Sequence, residues 1–268
     1  MQLVKWKILE SKSKFGMKQL LISFLIIIST FGISAQNVAE QAAKAYQEGD
    51  FRDAITLLEG EIKAQKEQGK VSSELYYNLG NAYFRVNEIP LAILNYERAQ
   101  LYNPGDRDIK HNIEYAQTKI EDKILTADNF FLKMWFEGVR DLLPSNSWAM
   151  LSIVFFIFFV GNLFLFFFSA KLVLKKTGFY TGIVLFGLLI FTNVFAYTQK
   201  KNVENRDTAI VMAGSAPVVS SPNTTSKELF VLHAGTKVTI TKVDGSWYEI
   251  EIADGSVGWI QVDKLEII

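Results

Sequence analysis

The stretch Leu75–Pro104, LYYNLGNAYFRVNEIPLAILNYERAQLYNP, decides how the first half of the chain folds. Gly80 stands inside a segment otherwise patterned as a helix, where glycine costs roughly 1 kcal/mol relative to alanine. Further along stand Ala92, Tyr96, Ala99 and Pro104. Small residues at Gly80 and Ala92 let two antiparallel helices approach closely, and Tyr83 and Tyr96 fill the space left over. Asn87–Pro90 makes the turn, because proline near a helix start already has the required φ and gives up no needed donor. Pro104 with Gly105 ends the second helix. Gly80 is therefore predicted to serve helix contact rather than flexibility.

Tyr76, Leu79, Gly80, Tyr83, Ala92, Tyr96, Ala99 and Pro104 match the tetratricopeptide (TPR) pattern place by place. A weaker copy lies upstream in AAKAYQEGDFRDAITLLEGEI, with Ala42, Tyr46, Gly49, Asp50, Phe51 and Ala54. The surplus over the usual period of about 34 residues falls in the polar KEQGKVSS. After Pro104, Ile109, Ile113, Ala116 and Ile120 recur at helical spacing, as in the capping helix that stacked repeats need. A solenoid of two repeats plus a cap is expected over 36–125. Such units present a concave surface to a peptide or a partner helix. Repeat phase puts Tyr77, Asn81, Phe84 and Arg85 on that surface, with His111 and Tyr115 of the cap in the equivalent phase. Asn78 and Asn81 with Arg85 could take a carboxylate, although the first repeat lacks the lysines that carboxylate-clamping TPRs use. The alternative is that these side chains are solvated or contact one another within the repeat.

Three apolar segments set a topology. Leu20–Gln36, preceded by Lys5, Lys7, Lys12, Lys14 and Lys18 and followed by small residues at Ser34–Ala35, fits a secretory signal over 1–35, with Met17 as an alternative start. An uncleaved anchor is the other reading. Trp148–Phe168 and Tyr180–Tyr197 carry no charge, and each suffices to span a bilayer. Transmembrane helices are expected over 147–170 and 179–198, joined by a short cytoplasmic loop, 171–178, that holds Lys171, Lys175 and Lys176. Ahead of them, 126–145 reads as an amphipathic linker. Phe131, Met134, Trp135, Val139, Leu142 and Leu143 share one face, suited to the membrane interface or to packing on the repeats.

From Asp207 the chain changes to short β-branched runs: TAIVMA, APVVSSP, ELFVLHAGTKVTITKV, DGSWYEIEIADGSVGWI and KLEII. Asp244–Gly245 and Asp254–Gly255 signal hairpins. Trp247, Glu249 and Glu251 alternate with Tyr248, Ile250 and Ile252, the period of half-buried strands. Five or so strands suggest a small closed barrel. The order resembles bacterial SH3 domains over 206–268, carried by the Trp247-Tyr248 and Gly258-Trp259 pairs. That resemblance implies peptide or peptidoglycan binding through Trp247, Tyr248 and Trp259; the competing role for Trp259 is core packing.

The fold class expected is thus a multidomain membrane protein: an all-α TPR solenoid, a two-helix transmembrane hairpin and a small all-β SH3-like barrel. Lys plus Arg and Asp plus Glu balance at 28 each, so no net field recommends nucleic acid. There are no cysteines, which excludes disulfides and thiolate chemistry, and the two histidines have no ligand-spaced companions. No cofactor, metal or catalytic constellation is expected, and the reading is non-enzymatic.

This order of parts, with IEDKI before FFLKMWF and SNSWAMLSI leading into the first span, resembles the BatE family of the Bacteroides aerotolerance operon. The resemblance implies a scaffold subunit in the bacterial inner membrane, two-pass after signal cleavage, with both folded parts in the periplasm. It implies membrane proteins with von Willebrand factor A domains and a MoxR-type ATPase as partners. Peptidoglycan recognition, with the repeats only structural, is the alternative.

Overall fold

The computed structural model describes residues 38–124 and 131–268. The expected signal, 1–35, and the first residues of the expected linker lie outside the described residues. The chain divides into two units, one ending at Gly69 and the other running Lys70–Ile268. In the first, helix α1 (38–48) turns through Gly49–Asp50 into α2 (Phe51–Glu67), and the Tyr46 ring stands edge-on to Phe51 at 5.1 Å.

The second unit opens on a helix pair, α3 (Ser73–Arg85) and α4 (Ile89–Tyr102). Ser72 caps α3 by accepting from the Leu75 amide at 3.3 Å, and Pro90 sits in the first turn of α4. A Cβ placed on Gly80 would lie 2.5 Å from Tyr96 Cδ1 and 3.2 Å from the Ala92 carbonyl. Glycine is there because no larger residue fits. Ile93, Leu94 and Tyr96 of α4 are fully buried, and each such aliphatic side chain contributes about 1.5–3 kcal/mol. Helix α5 (Arg107–Gln117) is capped by Asp106, which accepts from the amides of Asp108 and Ile109 at 2.9 and 3.3 Å, and it buries Ile109, Ile113 and Ala116. Ile120, expected on the same helix, lies past its end. There Lys123 Nζ donates to the carbonyls of Gln117, Thr118 and Ile120 and closes the terminus.

Helix α6 (Phe131–Arg140) leads through Pro144 into α7 (Ser145–Phe168), followed by α8 (Leu172–Asn205). Both α7 and α8 are long and apolar enough to cross a membrane. They form an antiparallel hairpin. Ser145 at the start of α7 donates to the Ala196 carbonyl near the end of α8 at 2.9 Å, Asn193 donates to Ser152 at 2.6 Å, and Thr181 donates to Asn162. Such polar pairs and close small-residue contacts hold apolar helices together where burial from water supplies no drive. The chain therefore enters and leaves the hairpin at the same end. The expected loop 171–178 is mostly helical, and only Ser169–Lys171 turns. Gly178 lies inside the helix, and its missing side chain lets α8 lie against the Asn162 carbonyl and the Phe166 amide of α7. At its other end α8 runs past the expected 198 to Asn205.

Seven strands follow: β1 (Thr208–Val211), β2 (Ser215–Val219), β3 (Glu228–His233), β4 (Lys237–Asp244), β5 (Trp247–Glu251), β6 (Val257–Gln261) and β7 (Leu265–Ile267). Every pairing is antiparallel, in the order β3-β2-β6-β5-β4-β1-β7. Two of the five expected runs each hold two strands, because Ala234–Thr236 and Asp254–Gly255 interrupt them. The sheet also has end strands, β3 and β7, where closure was expected; β2 meets β6 through the single pair Val219–Trp259. The core joins Ala209, Val211, Val218, Val238, Ile250 and Ile260, with Ile124 from beyond α5 packed against it.

Candidate functional site

The helical surface proves more internally engaged than its sequence suggested. Asn81 Oδ1 accepts from the Tyr96 hydroxyl at 2.8 Å and from Asn112 Nδ2 at 2.9 Å, and Asn112 reaches the Tyr77 oxygen at 3.2 Å. This network ties α3, α4 and α5 together and occupies the Asn81 oxygen, leaving its Nδ2 as the atom able to donate to a carboxylate. Phe84 and Tyr115 pair at 5.5 Å, and Lys119 sits over the Tyr115 ring at 5.0 Å. Arg85 and His111 are exposed. The structure thus brings together Tyr77 with Asn81 and Phe84 with Tyr115. Asn112 went unnoticed in the sequence because its role depends on a partner two helices away.

On the sheet the three expected ligand residues divide between faces. Trp247 and Trp259 lie on the outer face, where Trp259 pairs with Glu249 and Val219 across its two neighbouring strands. Tyr248 points the other way and packs on the core beside Ile250. The strand period of two separates it from the tryptophans, so Tyr248, half-buried, does not share their face. Both tryptophans are half-buried. Glu249 is held below the usual carboxylate range by hydrogen bonds from Lys242 and Thr241, at 3.0 and 2.8 Å. The outer face is therefore two indole rings beside a carboxylate that is already paired.

The most connected site joins the sheet to the helices. Asp122, just past α5, accepts from the His233 amide at 2.8 Å and from the Thr236 hydroxyl at 2.5 Å, and it meets His233 Nδ1 at 2.7 Å. Burial pushes its carboxyl up, but the Thr236 and His233 bonds outweigh burial and leave it below its ordinary 3.8. His233 is correspondingly raised above 6.5, first by its bond to Asp122, with Glu121 at 3.5 Å adding to the effect. The turn under Asp122 contains Gly235, at φ +96°, whose position would drive any Cβ into Ile120. Arg98 of α4 bonds Glu266 at 2.9 Å and the Ile267 carbonyl at 2.6 Å, while Lys237 meets the buried Glu97 at 2.6 Å. Both end strands are thereby met by helical residues, β3 through Asp122 and β7 through Arg98. Unpaired strand edges are aggregation hazards, and covering them is a usual remedy. A cleft of about 550 Å³ opens beside this joint, lined by Glu114, Thr118, Ile120, Lys123, Thr236 and Lys237 among others. Among the described residues no cluster of three or more His, Cys, Asp or Glu side chains could hold a metal.

In this antiparallel sheet Gly258 lets β6 approach β2 closely, since a Cβ there would lie 2.5 Å from Val218 Cγ1. Residues 215–266 match the family model of the bacterial SH3 domain. That match covers about a fifth of the chain and begins at β2. Strand β1 lies outside it, yet pairs with both β4 and β7. No curated protein matches the chain.

Proposed function

We propose that the protein is a non-enzymatic, membrane-anchored adaptor. In this reading α3–α5 belong to a short TPR solenoid that takes a protein partner, and the SH3 domain takes a peptide or the cell wall. The observation that carries it is the joint around Asp122, Arg98 and Lys237, which holds two recognition modules together at one end of an apolar hairpin. A shared support of this kind fixes the distance between two ligands, which is what a scaffold requires. By its resemblance to BatE, the protein would act in a bacterial inner-membrane complex with its folded parts in the periplasm. Partners would carry von Willebrand factor A domains, together with a MoxR-type ATPase. A bacterial SH3 domain fits a periplasmic setting.

Arg85, His111 and Tyr115 are exposed members of the helical surface, and charge reversal at Arg85 and His111 alters that surface without removing any buried side chain. Full-length protein carrying Arg85→Glu and His111→Glu is expected to recover at least fivefold less of its co-purifying membrane proteins. Equal recovery, quantified by mass spectrometry, would count against the partner surface.

The outward tryptophans favour a second reading, peptidoglycan recognition with the helices only structural. On that reading Trp247→Ala/Trp259→Ala in the intact protein should abolish co-sedimentation with purified peptidoglycan while amide-exchange protection of β1 and β4 persists. Sedimentation equal to that of the parent would eliminate it.

A further inference from the structure

Helix α6 presents two unlike faces. On one, Phe136 stacks edge-on against Phe195 of α8 at 5.1 Å. The carbonyl of Arg140, orphaned at the end of α6, accepts from Trp148 Nε1 and from Gln199 Nε2, each at 2.7 Å. The helix is therefore bolted to both members of the hairpin. On the other face Phe131, Leu132, Met134 and Trp135 are each more than half exposed. Leu132, Met134 and Trp135 in particular make an apolar patch too exposed for a short helix in water.

The height of α6 along the hairpin identifies the partner. Lys175 and Lys176 mark one polar boundary of α8, and Lys200 and Lys201 mark the other. At 1.5 Å per residue, Phe195 stands about 28 Å from Lys176 along the helix. A hydrocarbon core is about 30 Å thick, so the Phe136–Phe195–Trp148 cluster falls at its edge. Charges on α6 and its end nearly cancel: Lys133 and Arg140 against Glu137 and Asp141, with Arg140 and Asp141 paired at 2.7 Å. An anionic surface is not required.

We propose that α6 is an interfacial anchor whose Phe131, Leu132, Met134 and Trp135 face inserts at the headgroup–acyl boundary of a phospholipid bilayer. The inference rests on the reading that α7 and α8 cross that bilayer. The insertion also sets the stance of the recognition modules. The α4–α5 turn at Gly105 abuts the backbone of Asp141 and Leu142, just past α6, and Tyr102 of α4 lies near Arg206, just past the end of α8. Depth of insertion is passed directly to α4, and through Arg98 to the sheet.

The absence of native cysteine allows a direct test. Full-length Met134→Cys, Ile157→Cys and Glu88→Cys, each carrying an environment-sensitive fluorophore, are placed in phosphatidylcholine nanodiscs. The Met134 label is expected to be quenched at least threefold more by shallow 5-doxyl lipid than by 12-doxyl lipid. It should also be at least threefold better shielded from iodide than the Glu88 label, with no change when a third of the lipid is anionic. The Ile157 label, mid-span on α7, should respond to 12-doxyl lipid. Iodide quenching of Met134 equal to Glu88, with Ile157 still deep, would overturn the anchor alone. A Met134 label dark to lipid and iodide quenchers alike would mean protein covers the face, and would overturn the lipid assignment. Iodide quenching at Ile157 would bring down the spanning reading and the anchor together.

Discussion

Gly80→Ala is expected to destabilise the α3–α4 pair by about 1–3 kcal/mol, although alanine gains roughly 1 kcal/mol of helix propensity over glycine. The sign is decided by Tyr96. A Cβ at position 80 would sit 2.5 and 2.6 Å from two of its ring carbons, and the ring cannot swing aside. It is 2% exposed, and its hydroxyl is held by Asn81. Displacing it breaks the bridge through Asn81 and Asn112 to α5 as well. Gly80→Leu should expel the ring altogether and cost about 3–5 kcal/mol, comparable to truncating a buried aromatic. Amide exchange in detergent, read on peptides from α3 and α4, would report both variants. Protection equal to the parent in Gly80→Leu would mean the close approach is not what the glycine serves.

The second large effect is expected at Asp122. Removing a carboxylate that accepts three hydrogen bonds leaves the His233 amide and the Thr236 hydroxyl without their acceptor. Hydrogen bonds to charged groups contribute about 1.5–3 kcal/mol, so Asp122→Ala should accelerate exchange of the His233 amide roughly 100-fold. The same joint should respond to pH in a definite direction. Asp122 is lowered from 3.8, so its contribution is present above that value and is lost as pH falls through the lower folded value. His233 is raised from 6.5, so its contribution is complete below 6.5 and is lost as pH rises through the higher folded value. The contact between sheet and helices is therefore tightest from about pH 4 to 6.5. His233→Ala should flatten the alkaline limb and leave the acid limb in place. A His233 amide whose exchange, corrected for intrinsic rate, is indifferent to pH across both limbs would refute the assignment.

Much of the architecture was legible because its signals are local. Charge-free runs announce α7 and α8, since water-averse length needs no partner to be recognised. Gly80 and Ala92 announce a close helix pair, and alternation from Trp247 to Ile252 announces a strand with two unlike faces. The same alternation already separated Tyr248 from Trp247, and the ligand set that joined them overlooked its own period. Where a signal ended was harder to see. Helix α5 stops before Ile120 although the apolar spacing continues, and α8 begins at Leu172, ahead of Lys175 and Lys176, which seemed to mark a loop.

By itself, then, the sequence determined the kinds of element, the two helices long and apolar enough to cross a membrane and the sheet that matches a bacterial SH3 domain, because periodicity and composition act over one or two turns of chain. Only the tertiary structure decided that Asp122 meets His233, that Arg98 reaches Ile267, and that the Asn81 oxygen accepts from Asn112. Those contacts join residues far apart in the chain and on different elements. Their energy depends on geometry that no local window contains, and a single carboxylate in IEDKI gives no sign that three donors will converge on it.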